Sequence, residues 1–330
     1  MRKIFTLLTF VLGLVTITQA QEPQYSQFYA APLYLNPAFT GNTEGTRFAA
    51  IYRNQWPAVS GTFQSVSASL DLNLEQVNSG IGFYVHRDQA GSAGLSYTNV
   101  GVAYSYTVRF TPKLAFKPSL GIAFSQRGVD PTKLVFGDQL ISGANSSIQT
   151  SAVYDNTYYM DLCTGGLFYG DQFWVGYSAY HINRPNESLM DDEERSSVRH
   201  SLHGGYNYPL RTTGKGVIES SLTFSGNLKV QREWTQLDLG GYFQYSPFLM
   251  GVWYRGIPVS KTINQNANND AIVVLAGIKL DKFKFAYSYD ITVSKIWANT
   301  GGSHEVSLIY ETANKKKRKR RFRRVPCPSF

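Results

Sequence analysis

Two histidines three residues apart, His200 and His203 in the run HSLH, are the nearest approach to a metal-ligating pair in this 330-residue chain. On an extended strand an offset of three points the two rings to opposite faces, so the pair cannot close on one ion. The acidic run DDEER, Asp191 to Arg195, offers carboxylates to a cation but lacks the alternating oxygen spacing of a calcium loop. It reads as a solvated acidic loop. No G-x-S-x-G elbow, phosphate-binding loop or dinucleotide fingerprint occurs, so neither catalysis nor a cofactor is expected. The two cysteines, Cys163 and Cys327, are too few for a disulfide scaffold and read as unpaired thiols.

The densest chemistry is at the end of the chain. Of the ten positions Lys315, Lys316, Lys317, Arg318, Lys319, Arg320, Arg321, Phe322, Arg323 and Arg324, nine are Lys or Arg. The whole chain carries +9, and removing these nine charges with Arg2 and Lys3 leaves the body at −2, so the body is not built for nucleic acid. The other end excludes nucleic acid for the tail too. Arg2 and Lys3, the apolar run Ile4 to Ile17 and the small-residue junction at Ala20 have the three-part form of a secretory signal, so residues 1–20 are expected to be removed on export.

A polar or charged group can be presented only by the elements that carry it, and here those elements are strands. From Thr98 to Phe110 the even positions read Thr, Val, Val, Tyr, Tyr, Val, Phe, while the odd ones read Asn, Gly, Ala, Ser, Thr, Arg. The same period of two returns in Leu114–Phe124 and in Phe283–Val293, where Lys284, Ala286, Ser288 and Asp290 share the second face. Fourteen such segments can be counted, near 46–54, 63–74, 80–87, 97–110, 113–126, 159–169, 173–182, 197–208, 216–227, 235–245, 247–255, 270–280, 283–293 and 303–311. Most reach the roughly 9 to 11 residues of a tilted membrane strand. With Tyr 22, Phe 20 and 17% charge, this is the composition of a barrel with aromatic belts rather than of a soluble sandwich.

Tight connections before Lys113, Phe173, Pro247 and Phe283 alternate with long ones at 128–158, 183–196 and 256–269. The expected fold is therefore all-β, a transmembrane antiparallel β-barrel of about 14 strands spanning 46–313 in the outer membrane, with both termini periplasmic. The tail 314–330 then becomes a basic periplasmic extension.

Between signal and first strand, residues 21–45 contain QYSQFYAAPLYLNPAFTG, with five aromatics and three prolines in the 21–45 span but no alternation. A disordered leader rarely holds so many aromatics. This segment is expected to be ordered, either plugging the lumen or lying across the periplasmic mouth, with Tyr34, Asn36, Pro37, Phe39 and Gly41 as candidate contact residues.

PQYSQFYAAPLYLNPAFTG, followed by RFAAIYRNQWP and FQSVSASLD, closely resembles the opening of the PorP/SprF family of Bacteroidetes outer-membrane proteins, and KKKRKRRFRRVPCPSF resembles endings seen there. The resemblance implies a component of type IX secretion and, in some members, gliding motility. It implies partners too: outer-membrane lipid, a secreted adhesin-type client held at the surface by its C-terminal domain, and periplasmic machinery, with no nucleic acid. The competing expectation is an outer-membrane channel or ligand-specific transporter.

Overall fold

The computed structural model describes residues 24–312 apart from positions 60, 62, 131–132, 135–138, 140–155, 190–192, 213–217, 233, 262–266 and 294–299. The strands are β1 (Thr46–Gln55), β2 (Phe63–Leu74), β3 (Ser79–Ala90), β4 (Leu95–Tyr106), β5 (Val108–Thr111), β6 (Leu114–Gly128), β7 (Thr157–Tyr169) and β8 (Phe173–Tyr180), followed by β9 (Arg199–Thr212), β10 (Ile218–Gln231), β11 (Trp234–Tyr245), β12 (Phe248–Lys261), β13 (Ala267–Leu280), β14 (Phe283–Thr292) and β15 (Ser303–Glu311). β4 and β5 both pair with β6 and are two halves of one stave, broken at Thr107, whose N–H turns aside to Asn78. The wall is thus a closed antiparallel barrel of 14 staves. β1 meets β15 over nine register pairs, from Arg47↔Glu311 to Gln55↔Ser303. Closure removes every free edge, the condition for a sheet to cross hydrocarbon.

Alternation places the apolar set outside. Phe48 and Tyr52 of β1, Phe83 and Val85 of β3, Val100 and Val102 of β4, and Phe285 and Tyr287 of β14 are exposed, while Ser65, Ser67, Ser69 and Asp71 of β2 are buried. The pattern is inside-out relative to a soluble domain because the outer face meets lipid. At the tight-turn rim Phe168 lies 6.5 Å from Phe110 and 6.1 Å from Phe173, and Phe283 lies 4.8 Å from Tyr310. At the opposite rim Phe124 stacks on Tyr158 and Tyr287 bonds His304.

Two sequence readings need correction. The long connection read at 256–269 is mostly strand, since β12 runs to Lys261 and β13 starts at Ala267. Register shifts after Arg255 and after Ile257 break the alternation there and disguise the strand as a loop. The long-loop rim also carries short connections, at 91–94 and 232–233. Parity fixes the strand ends relative to one another, and Thr46 and Glu311 share the tight-turn rim. It does not locate the residues ahead of Thr46, and these run back into the barrel.

Candidate functional site

Local chemistry makes residues 28–39 a chain of short turns. Pro32 opens the four-residue helix Pro32–Leu35, where its missing N–H costs nothing, and Pro37 opens the 3-10 turn Pro37–Phe39. Asn36 caps that turn by accepting from Ala38 N–H at 2.8 Å. Gly41 leaves it with φ +64, and a Cβ there would stand 2.7 Å from Gly80 Cα. This is a position for glycine on both counts.

From Tyr25 to Gly41 every residue except half-buried Tyr34 is buried, and their partners stand all round the wall. The segment therefore occupies the lumen. Its first residues lie toward the long-loop ends of the strands. Ser26 Oγ donates to Asp290 at 2.7 and 2.8 Å from its two carboxylate oxygens, and accepts from Arg53 and Arg255 at 2.9 Å each. The Ser26 and Gln27 N–H groups donate to the Glu305 carboxylate at 2.9 and 2.6 Å. Arg53 bridges Asp290 and Glu305, and Arg255 bridges Asp290 and Asp238. Four strands beyond β1 thus contribute to one buried ionic hub, with a serine hydroxyl at its centre.

Apolar contacts hold the middle of the segment. Phe28 meets Trp253 edge-on at 4.8 Å and Tyr29 meets Tyr242 at 5.4 Å. Burial pushes the Tyr25 and Tyr29 phenols well above their ordinary range. They stay neutral, and Tyr25 shares a hydrogen bond with His86 Nδ1 at 2.9 Å. At the tight-turn end the Thr40 carbonyl accepts from Lys117 Nζ at 2.6 Å and Ser105 Oγ at 2.8 Å. Gly41 N–H donates to Asp71, which also takes Arg47 at 2.7 Å.

Of the candidate contact residues of the segment, Tyr34, Asn36, Phe39 and Gly41 meet the wall, while Pro37 is bonded within the segment. The Tyr34 hydroxyl accepts from Arg199 at 2.8 Å, and that guanidinium lies 4.6 Å over the Tyr34 ring. Asn36 donates to the carbonyls of Gly166 and Tyr177 at 3.2 and 3.1 Å and lies 3.0 Å from His203 Nε2. Pro37 accepts from Thr40, Phe39 lies against His203, and Gly41 is bound as described. Lys315 to Arg324, like the signal run, lie outside the described residues. Of the histidine pair, His203 points inward while His200 is exposed and bonds Tyr177 at 2.7 Å. Cys163 is buried and forms no disulfide among the described residues.

Ser26, Arg53, Asp238, Arg255 and Glu305 were not singled out by sequence, and Asp290 only as one residue of a polar strand face. A signal existed for the five charged members, since each falls on the inward phase of a long strand, where a charge needs a partner.

The lumen of this barrel is filled by its own leader. The family described as Type IX secretion system membrane protein PorP/SprF matches residues 17–310. The chain belongs to the PorP/SprF family. As a PorP/SprF protein with a closed barrel it is a multi-pass protein of the outer membrane and of type IX secretion. No curated protein matches it. Among solved structures it is similar to the outer membrane protein Omp33 of Acinetobacter baumannii, at 7% identity over 83% of this chain and 100% of that one, with a TM-score of 0.46. The toluene transporter TodX of P. putida shares 8% identity over 84% and 93%, with a TM-score of 0.47. The CymD monoaromatic hydrocarbon channel shares 11% over 86% and 93%, with a TM-score of 0.45. No function is carried over from likenesses this distant.

Proposed function

We propose that this PorP/SprF barrel is a plugged, non-enzymatic scaffold of the type IX secretion and gliding machinery. It holds a secreted adhesin-type client by the client's C-terminal domain at the cell surface and docks periplasmic components through the basic tail Lys315–Arg324. The observation that carries the reading is the occupied lumen. Residues 25–41 are bound to the wall through hydrogen bonds, ion pairs and aromatic contacts from one rim toward the other. Wide barrels that serve as channels keep an aqueous lumen. A filled lumen favours binding at the mouths and loops over permeation.

The test is affinity purification from the native outer membrane, with mass spectrometry of the co-purifying proteins and planar-bilayer conductance of the pure barrel. Recovery of a secreted protein through its C-terminal domain, together with periplasmic proteins, and no open-pore current is the expected result. Steady single-channel current and solute flux without protein partners would establish a channel instead.

A further inference from the structure

The first and last strands of a barrel must find each other before the wall is complete. Here the leader touches that junction. Arg53 of β1 and Glu305 of β15 are register partners across it. Glu305 receives three donors, Ser26 N–H, Gln27 N–H and Arg53 at 3.1 Å, so its carboxylate is shared between the leader and β1. Gln27 reaches further along the same strand: its amide nitrogen donates to the Glu305 carbonyl at 3.1 Å and to Ser288 of β14 at 3.0 Å, and its oxygen accepts from Ser307 at 2.5 Å. Ser26 ties in β12 and β14 through Arg255 and Asp290.

We infer that Ser26 and Gln27 form an internal clasp that closes the barrel seam, so that filling the lumen and joining β1 to β15 are one event. The physical reason lies in the charges. Before β15 docks, Arg53 lacks Glu305, and the two leader N–H groups lack their acceptor. Each would be costly to bury alone. All are satisfied together only when β1, β15 and the leader meet. Charged groups meet the leader elsewhere too, at Asp71, Lys117 and Arg199, but five charged side chains gather around Ser26 at this junction and the strands next to it, a concentration that a leader merely filling space does not need. The ionic hub lies at the β1–β15 junction and the strands that follow from it, whereas β7 and β8 meet the leader through neutral groups: on β7 the Gly166 carbonyl accepts from Asn36 at 3.2 Å, and on β8 Ser178 donates to the Leu35 carbonyl at 2.8 Å and Tyr180 to the Leu33 carbonyl at 2.7 Å.

The experiment is amide hydrogen exchange on the full chain in detergent micelles, with heat-modifiable gel migration confirming a folded barrel. Glu305→Gln keeps the shape and removes the charge. Exchange in the β1–β15 ladder is expected to rise by roughly a hundredfold to a thousandfold, the lower part of the range for losing one partner of a buried pair, while the β7–β8 ladder keeps its wild-type rate. Ser26→Ala, a milder change that retains both leader N–H donors, should raise seam exchange in the same direction. Ser178→Ala, which loosens the leader on the far wall, should leave the seam unchanged. Equal rises at both ladders in Glu305→Gln, or an unchanged seam in Ser26→Ala, would overturn the clasp. If Glu305→Gln yields no barrel, the Ser26→Ala and Ser178→Ala pair decides alone.

Discussion

Arg53 and Glu305, 252 residues apart in the chain, stand opposite each other on the first and last strands with their charged groups 3.1 Å apart beneath Ser26. Both side chains are almost wholly removed from solvent, at 3% and 0% exposure. A pair so buried adds little by its existence but costs much to break, because the survivor is left charged and dry. Arg53→Ala is therefore expected to lower the stability of the folded barrel by about 3–5 kcal/mol, read as a shift in the urea midpoint of heat-modifiable migration. Arg53→Met combined with Glu305→Leu should cost less than the two single changes summed, and simple additivity would show the pair to be uncoupled.

Asn36 supports a second prediction. Its amide nitrogen donates to two wall carbonyls while its oxygen caps the turn at Ala38, so one side chain fixes the leader and its own fold. Asn36→Ala should destabilise the barrel by about 1–3 kcal/mol through the polar groups left unpaired. Asn36→Asp should be no better, since a carboxylate would face the Gly166 and Tyr177 carbonyls. A neutral Asn36→Asp in chemical denaturation would mean that the capping oxygen alone matters.

The reading of Gly41 is tested by Gly41→Val. The substitution combines a left-handed backbone, φ +64, with a Cβ 2.7 Å from Gly80 Cα. Backbone must shift on one side or the other, and β-branching makes φ above zero costlier still. Reduced yield of heat-modifiable barrel is expected. Gly91→Ala serves as the control, because Gly91 shares the positive φ but has open space around it.

How far the sequence could be read divides along physical lines. The strands were legible because lipid imposes an unbroken period of two: Phe63–Leu74 and Ser303–Glu311 were placed to the residue. The stave at 97–110 was legible as one unit, and only the break at Thr107 was not, since the alternation passes through it. The segment after Arg255 failed for the opposite reason, a strand whose register shifts erase the period. The leader was legible as ordered from its aromatics, but its partners were not. Asp290 was visible on a polar face with Ser288 and Lys284, yet nothing local says that it meets Ser26, 264 residues away. Closure of a barrel makes such pairs neighbours without leaving a mark on either strand alone.

Orientation is checked by single cysteines in a Cys327→Ser background. Ser92 is exposed in the connection between β3 and β4, and Asp281 is exposed in the tight turn between β13 and β14, on the opposite rim. Ser92→Cys should react with an impermeant maleimide on intact cells, and Asp281→Cys only after the outer membrane is opened. The reverse order would turn the barrel over and take the docking role of the tail with it.

The tail gives the last prediction. Glu311, the final residue of β15, sits at the tight-turn rim beside Arg47, and the basic run starts four residues later in the sequence. Ten residues from Lys315 to Arg324 reach at most about 33–36 Å when extended, enough to touch a neighbouring complex. Attraction to an acidic surface would be felt within about 8–10 Å near physiological ionic strength and further at low salt. Arg320, Arg321, Arg323 and Arg324 can grip carboxylates with two parallel hydrogen bonds, which lysine cannot, and Phe322 stands between them as an apolar anchor. Deleting residues 314–330 should leave the barrel folded, because the seam and leader contacts described above are made by residues 25–311. It should also abolish salt-sensitive recovery of a periplasmic partner and reduce surface display of the client. Changing the four arginines to glutamate should reproduce the deletion, while changing them to lysine should keep the charge and lose only part of the recovery. A tail that merely holds anionic lipid would respond to the charge reversal but show no difference between arginine and lysine and no lost protein partner. Unchanged partner recovery and client display in the deletion strain would remove the docking role altogether.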